Sequence, residues 1–474
     1  MGARATASIV ESLEPRQLLA ANVPAFAFLV GAATAAAVAT DAAGNVYVAG
    51  DFEGTVDFNP SRRRTFNLTS AATGGDPFVA KYSPSGGLFW AVRFGNRPGS
   101  PGDRDTFVGG LAVDAGGNAF VVGQFEGAMD FDPSDAVSNL TSGGNAGGDG
   151  FLLALDADGA FRYAKAFPTP GTRPAEDVFY GSATHVALDA DGHVYVARAI
   201  HDVPDGGLDV SDVAVSKLTA KGRTLWSREF GNGGGQVTAS AMTVDGAGNA
   251  YLAGHQQGGV DFDPGAGTRT LPSNAKYLLK LSGSGELGYA AAFADGAAAH
   301  GLATDAAGNL YAAGTYSGTA DFNFSSKKTF ALTSQGGQDG FVAKYSPVGG
   351  VAWAKALGGG GTDGASGVVV AADGLVYATG RFEGTARFNP GVSKFKLTSA
   401  DAADSFFATY DAAGVFQGAS QIAPRTTHLA APATGGLVAT GVLLQPGDVD
   451  PRDSVLTLDP VVDGLANLFV LKLT

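Results

Sequence analysis

The chain of 474 residues has no cysteine. Disulfides, thiolate zinc sites, iron–sulfur clusters and cysteine nucleophiles are therefore excluded. The compartment stays open, because an exported protein does not need disulfides. Charge is also scarce: 16% of residues are charged, against an ordinary ~25%. What charge there is sums to −14. An acidic chain repels other polyanions, so nucleic acid and anionic membrane surfaces are not expected partners. No nucleophile–base–acid constellation stands out. Glycine, in contrast, is abundant, at 71 residues, about twice the usual ~7%. Short strands joined by tight glycine turns need this composition.

The glycines fall in a repeat. VATDAAGNVYVAG from Val38 recurs as LAVDAGGNAFVVG from Leu111, MTVDGAGNAYLAG from Met242 and LATDAAGNLYAAG from Leu302. Weaker copies start at Val186, Val368 and Leu429, which makes seven. Such self-similarity marks a repeat architecture and overrides a length-based expectation of about three domains. Each copy reads as two hairpins. In the first, VATD and NVYVAG flank DAAGN, where Gly supplies a positive φ and Asp bonds the turn's own backbone. In the second, PFVAKY and LFWAVRF flank SPSGG; FVAKYSPVGGVAWAKAL from Phe341, VSKLTAKGRTLWSREF from Val215 and LLKLSGSGELGYAAAF from Leu278 are its cognates. Two hairpins make a four-stranded unit, and such units repeated in a closed ring form a β-propeller.

The chain ends argue for closure. NLFVLKLT matches DPFVAKYS and stops at Thr474, so the last unit lacks its fourth strand. Ala25–Leu29 is a fourth-strand sequence with no unit before it. AFAFLVGAATAAAVATD (Ala25–Asp41) aligns without a gap on YAAAFADGAAAHGLATD (Tyr289–Asp305). This places strands in the uncharged stretch Gln17–Thr40, although its hydropathy also suits a membrane or signal segment. Pro24 and Gly31 fit strand ends better than a helix interior. The N-terminal strand then completes the seventh blade and removes an exposed sheet edge. The expected fold is an all-β, seven-bladed propeller over residues 25–474, behind a separate segment 1–24.

The repeat resembles the SBBP family of bacterial β-propeller repeats, with the residues DAAGNVYVAG and DPFVAKYSPSGGLFWA carrying the likeness. It is strongest for the copies at Val38, Leu111 and Leu302. It is weak in the sixth, where Ala371 replaces the turn Asp, and poorest in the seventh, with Pro432 and Gly436. The resemblance implies a seven-bladed ring and a general role in extracellular binding, without an agreed activity. Near the N-terminus, Glu11, Leu13, Glu14, Pro15, Arg16, Leu18 and Leu19 resemble the LEPR-x-LL segment of large bacterial surface proteins. That likeness covers about a dozen residues and implies export or surface sorting, since Glu11 and Glu14 interrupt an ordinary signal core.

Strand order places both tight turns on one face and the longer links on the other, where binding is expected. Five residues before the matched Lys stand Asp76, Asp212 and Asp339; Asp149, Asp404 and Asn467 align with them, and only Ala275 breaks the series. Such acids cap strand starts by accepting backbone amides, or form an acidic ring that attracts cations. Calcium is the one cofactor considered, because Asp130/Asp132 and Asp261/Asp263 offer paired oxygens; a turn role suits them better. Asp189–Gly192 (DADG) likewise lacks the remainder of an EF-hand. His185, His300 and His428 are placed at the start of inner strands, near the channel mouth on the loop face. Trp90, Tyr163, Trp226, Tyr289 and Trp353 fill one repeated position, with Gly418 and Ala25 in the other two blades, and are read as blade-to-blade packing.

The expected role is a secreted or cell-surface binding scaffold, monomeric and without a transmembrane span, whose partner is a protein or glycan. One alternative is a propeller enzyme of lactonase, lyase or hydrolase type with a metal at the channel mouth. Another is a docking module for a second envelope protein.

Overall fold

A computed structural model describes residues 24–473, apart from 62, 72–74, 96–105, 144–147, 169–177, 204–209, 232–234, 295, 326–327, 390–394, 401, 424, 444–446, 449–456 and 459–466. The expected sorting segment therefore lies outside the described residues, save for Pro24.

The strands assemble into seven antiparallel sheets, each with four strands in radial order. Blade 1 runs Ala33–Thr40, Val46–Phe52, Asp76–Tyr82 and Leu88–Arg93 from the axis outward. The inner strands of blades 2 to 7 are Thr106–Val113, Val178–Leu188, Gly235–Val244, Ala298–Thr304, Gly364–Val370 and Arg425–Ala430. Each inner strand touches those of the blades on either side, and the first touches the seventh, so the ring is closed.

Burial explains the sequence pattern. The two middle strands of a blade are covered on both faces by neighbouring blades, so VYVAG and PFVAKY are almost wholly buried. They read as continuous apolar runs, as strands covered on both faces do. The outer strand Leu88–Arg93 is only partly covered.

Closure occurs as the chain ends suggest. Pro24–Val30 pairs antiparallel with Asn467–Leu473, which pairs in turn with Leu437–Leu443. Phe28 and Val30 are 8% and 1% exposed. The gapless alignment is corrected by one residue, however. Lys472 lies opposite Phe26, as Lys81 lies opposite Trp90 and Lys280 opposite Tyr289. Phe26, not Ala25, therefore holds the repeated aromatic position. The link into blade 1 is one residue shorter than its cognate between Tyr289 and Ala297. Its Ala32 takes φ 48° to make the tighter corner, a conformation rare outside glycine.

Every inner strand carries a bulge at the same place. The register skips Ala36, Gly109, Thr184, Ser240, His300, Ser366 and Thr427. Such bulges bend a strand and raise its twist. On the loop face, segments between the two hairpins of a blade form short extra hairpins: Thr55–Asp57 with Asn67–Thr69, Ala128–Asp130 with Asn139–Thr141, and Thr385–Arg387 with Lys396–Thr398. Their Phe58, Phe131 and Phe388 are fully buried against the ends of the middle strands. The hairpins also reach backwards. Blade 5's outer strand Val351–Gly359 pairs with the blade 6 hairpin, giving a six-stranded sheet. Gly95 of blade 1 bridges to Asp130 of blade 2.

Candidate functional site

The central channel has two ends of different chemistry. At the tight-turn end, each DAAGN turn is locked by its Asp. In blade 1, Asp41 Oδ1 accepts the amides of Ala43 (3.0 Å) and Asn45 (2.9 Å), while Oδ2 accepts Asn45 Nδ2 (2.7 Å) and the Tyr47 hydroxyl (3.2 Å). Asp245 and Asp305 repeat the arrangement with Asn249 and Tyr251, and with Asn309 and Tyr311. A lysine from the third strand supplies the counter-charge: Lys344 lies 3.4 Å from Asp305, and Lys217 3.1 Å from Asp189. Burial would push Asp189 up, but hydrogen bonds from the His193 amide, Lys217 and the His193 ring outweigh it and hold the carboxyl below its ordinary range. The Tyr47, Tyr195, Tyr251 and Tyr311 phenols are pushed up, first by burial and then by their aspartates.

The same residues stitch each blade to the next. Lys81 Nζ and Trp90 Nε1 both donate to the Ala157 carbonyl of blade 2, each at 3.0 Å. Lys344 and Trp353 do so to Ala412 (3.1 and 3.2 Å), and Lys217 and Trp226 to Gly283 (3.4 and 3.0 Å). Each aromatic also covers a left-handed glycine in that turn. A Cβ on Gly159 (φ 84°) or Gly414 (φ 79°) would come within 2.8 Å of Trp90 or Trp353. Phe26 covers Gly86 in the same way, and Lys472 Nζ donates to Pro84 at 3.4 Å, so the stitch continues across the closing blade. The expected blade-to-blade packing of these aromatics is what the structure shows.

Inside this ring of turns lies a cavity of about 530 Å3, at the opposite end from the long links. Its wall includes Thr40, Val113, Thr304, Val370 and Ala431, with Asp41, Asp114 and Asp305 at the rim. Asp114 differs from the others. It accepts the amides of Gly116 and Asn118 and the Asn118 side chain, but Phe120 and Ala154 stand where blades 1 and 5 place Tyr and Lys.

At the loop end, the acid series caps strand starts. Oδ2 of Asp76, Asp149, Asp339 and Asp404 accepts the amide of Ala71 (2.6 Å), Gly143 (2.8 Å), Gln335 (2.9 Å) and Ala400 (2.9 Å) respectively. Asp212 takes the equivalent place in blade 3, close to Gly231. These acids are spread one to a blade and do not converge. Asp130 and Asp261 likewise close their own hairpins, each Oδ1 accepting two backbone amides. Asp51 was not singled out by the repeat. Burial pushes its carboxyl up to about 7 against a hydrogen bond from Val108, with the Asp76 charge adding to the rise.

The histidines depart from expectation. His185 is the eighth residue of Val178–Leu188 and His428 the fourth of Arg425–Ala430, both just past the bulge, while His300 is the bulge residue itself. They sit along the strands rather than at their starts, because the inner strands begin two or more residues before the bulge. They occupy blades 3, 5 and 7 and form no cluster. His185 Nδ1 lies 2.9 Å from Thr184 Oγ1, and His300 Nε2 3.1 Å from Thr315 Oγ1. Burial holds His428 down at about 4. Among the described residues, one group has metal-ligand spacing: ligand atoms of Asp189, Asp191 and His193 lie within 4.8 Å of one another. Lys217 already stands against that group.

A closed ring of seven four-stranded sheets about a channel defines a β-propeller. Residues 225–255 match the SBBP beta-propeller repeat, a stretch from the outer strand of blade 3 through the first hairpin of blade 4. No curated protein matches the chain. Among solved structures, a protein of unknown function from Dyadobacter fermentans is 9% identical with a TM-score of 0.38, covering 96% of this chain and 99% of its own. A gluconolactonase from Xanthomonas campestris is 12% identical with a TM-score of 0.30, covering 76% and 95%. An ACO/RPE65 chimera is 10% identical with a TM-score of 0.37, covering 94% and 93%. All three TM-scores are too low to carry an activity across.

Proposed function

We propose that this chain is a binding scaffold of the bacterial exterior, secreted or held at the cell surface, and that it receives a protein segment at the turn end of its channel. The cavity there carries the reading. Its wall is built of small side chains, alanine, valine and threonine, with no aromatic ring on which a sugar could stack. The rim acids Asp41 and Asp305 already hold amides, an Asn and a Tyr, which leaves Asp114 as the most available acceptor for a hydroxyl or basic group. Substituting Ala42→Trp and Asp114→Lys should abolish capture of the partner from envelope extract, while substitutions in the loop-face hairpin Thr55–Thr69 leave it intact. The reverse pattern would move the binding site to the loop face. Export is tested separately: residues 1–24 fused to a neutral reporter should carry it out of the cytoplasm, and a reporter that stays inside shows that the LEPR-x-LL likeness is insufficient.

The enzyme alternative has one observation in its favour, the Asp189–Asp191–His193 group. Lys217, 3.1 Å from Asp189, opposes it by occupying the place of a cation. A stoichiometric transition metal in purified protein, lost in His193→Ala, would revive it.

A further inference from the structure

One loop-end acid differs from its cognates in the charge that faces it, not in its burial. Asp339 is 1% exposed, and its Oδ1 is buried with no hydrogen-bond partner within the protein. Across Gly358 stands Asp363, 2% exposed, just before the inner strand of blade 6. Asp363 Oδ1 accepts the Glu383 amide (2.9 Å) and Oδ2 the Gly359 amide (2.6 Å). A Cβ built on Gly358 would lie 2.8 Å from Asp339 Oδ1 and 2.8 Å from Asp363 Oδ2. The two oxygens thus border one small space, which glycine alone leaves open.

The charge there is uncompensated. In blade 1 the cognate Asp76 meets Arg93 at 3.1 Å. Arg93 lies opposite Phe78, and the residue opposite the matching Phe341 is Ala356. Blade 5 has therefore lost the arginine and gained a second carboxylate. Neither Asp339 nor Asp363 has an ion-pair partner among the described residues. Two buried carboxylates side by side cannot both ionise without a counter-ion. Burial, and then the Asp363 charge, push Asp339 up to about 6 against the Gln335 hydrogen bond.

We propose that Asp339 and Asp363 bind a calcium ion at the seam between blades 5 and 6. The two facing atoms are hard carboxylate oxygens, and the chain has no cysteine to add a soft ligand, which favours calcium or magnesium over zinc. Calcium fits better, because it accepts six to eight oxygens in a flexible shell, whereas magnesium demands an octahedron and dehydrates reluctantly. Carbonyls of the four-glycine link 358–361 and water would complete the shell. The ion would fix the seam where the chain itself is least constrained, since glycine has the most backbone freedom to lose.

The test is thermal melting of chelator-treated full-length protein with CaCl2 or MgCl2, together with a calcium titration by calorimetry. Millimolar calcium should raise the melting temperature by about 2 °C or more, and magnesium by less. Asp339→Asn and Asp363→Asn should each remove the shift and the calorimetric signal. Asp404→Asn, the cognate change in blade 6, should keep both. The proposal is overturned if the parent shows no calcium response, or if both variants retain it. It is equally overturned if the parent responds only to acid, gaining stability from pH 7 to pH 5 without calcium, because the two carboxyls then share a proton instead.

Discussion

The two ends of the channel use aspartate in opposite ways. At the turn end, one set of partners recurs in blades 1, 4 and 5: an Asn four residues on, a Tyr six residues on, a Lys from the third strand and an aromatic from the fourth. At the loop end the acid recurs, but what faces it changes. Blade 1 offers Arg93, blade 5 offers Asp363, and in blade 2 the Arg198 charge of blade 3 lies near Asp149. Uniform surroundings build the ring. Changed surroundings mark where a blade has a neighbour that the repeat does not specify.

The comparison can be broken most severely in blade 7, whose stitch is assembled from both chain ends. Deleting residues 1–30 removes Phe26, Phe28 and Leu29. The expected loss is several kcal/mol, at about 1.5–3 kcal/mol per large buried side chain. Deleting residues 1–20 should leave denaturant unfolding nearly unchanged, and equal midpoints for the two truncations would refute closure by this strand.

A single stitch comes next. Trp353→Ala removes the cover of Gly414 and the bond to Ala412, and should lower stability by about 3 kcal/mol. Gly418→Trp, the matching position of blade 6, should gain nothing. The turn on which it would pack is missing from blade 7, where Leu473 and Pro24 come together instead of being joined by a hairpin. A stabilised Gly418→Trp would contradict this account.

At the loop end, Ala356→Arg would copy blade 1 into blade 5. It should raise calcium-free stability by about 1 kcal/mol and abolish the calcium response. An unchanged response would separate the cation from these acids.

The smallest effects are in pH. His428 sits at about 4 in the fold against an ordinary 6.5, so the unfolded chain takes up its proton first. That contribution is present above pH 6.5 and is lost as pH falls toward 4. Asp339 sits at about 6 against 3.8. Here the folded chain takes up the proton first, and stability is gained as pH falls from 6 toward 3.8. His428→Gln should flatten the loss and Asp339→Asn the gain, as read from urea midpoints across that range.

The seven blades, the two hairpins per blade and the closing strand were legible because tight turns and continuous apolar runs repeat. The sequence did not reveal register inside a strand. The link into blade 1 is one residue short, which puts Phe26 where the gapless alignment puts Ala25, and the inner strands begin before the bulge, which is why the histidines lie farther along them than expected. The Asp339–Asp363 pair was hidden for a different reason. Asp363 belongs to no series; its cognates are Ala33, Thr106, Gly181, Val237 and Ala297. Its only signal was that departure. The blade 6 gaps in the aromatic and lysine series, Gly418 and Thr409, follow from where the chain ends meet; the blade 2 gap at Ala154 does not.

That meeting point has a mechanical consequence. Pro24 and Leu473 face each other at the open end of an antiparallel pair. Tension applied through these two points would part the strands like a zipper, one rung at a time, instead of shearing every rung together. A ring that distributes heat-driven fluctuations over seven seams would then yield to force within a single blade, with the first strand peeling away before any other blade bears load.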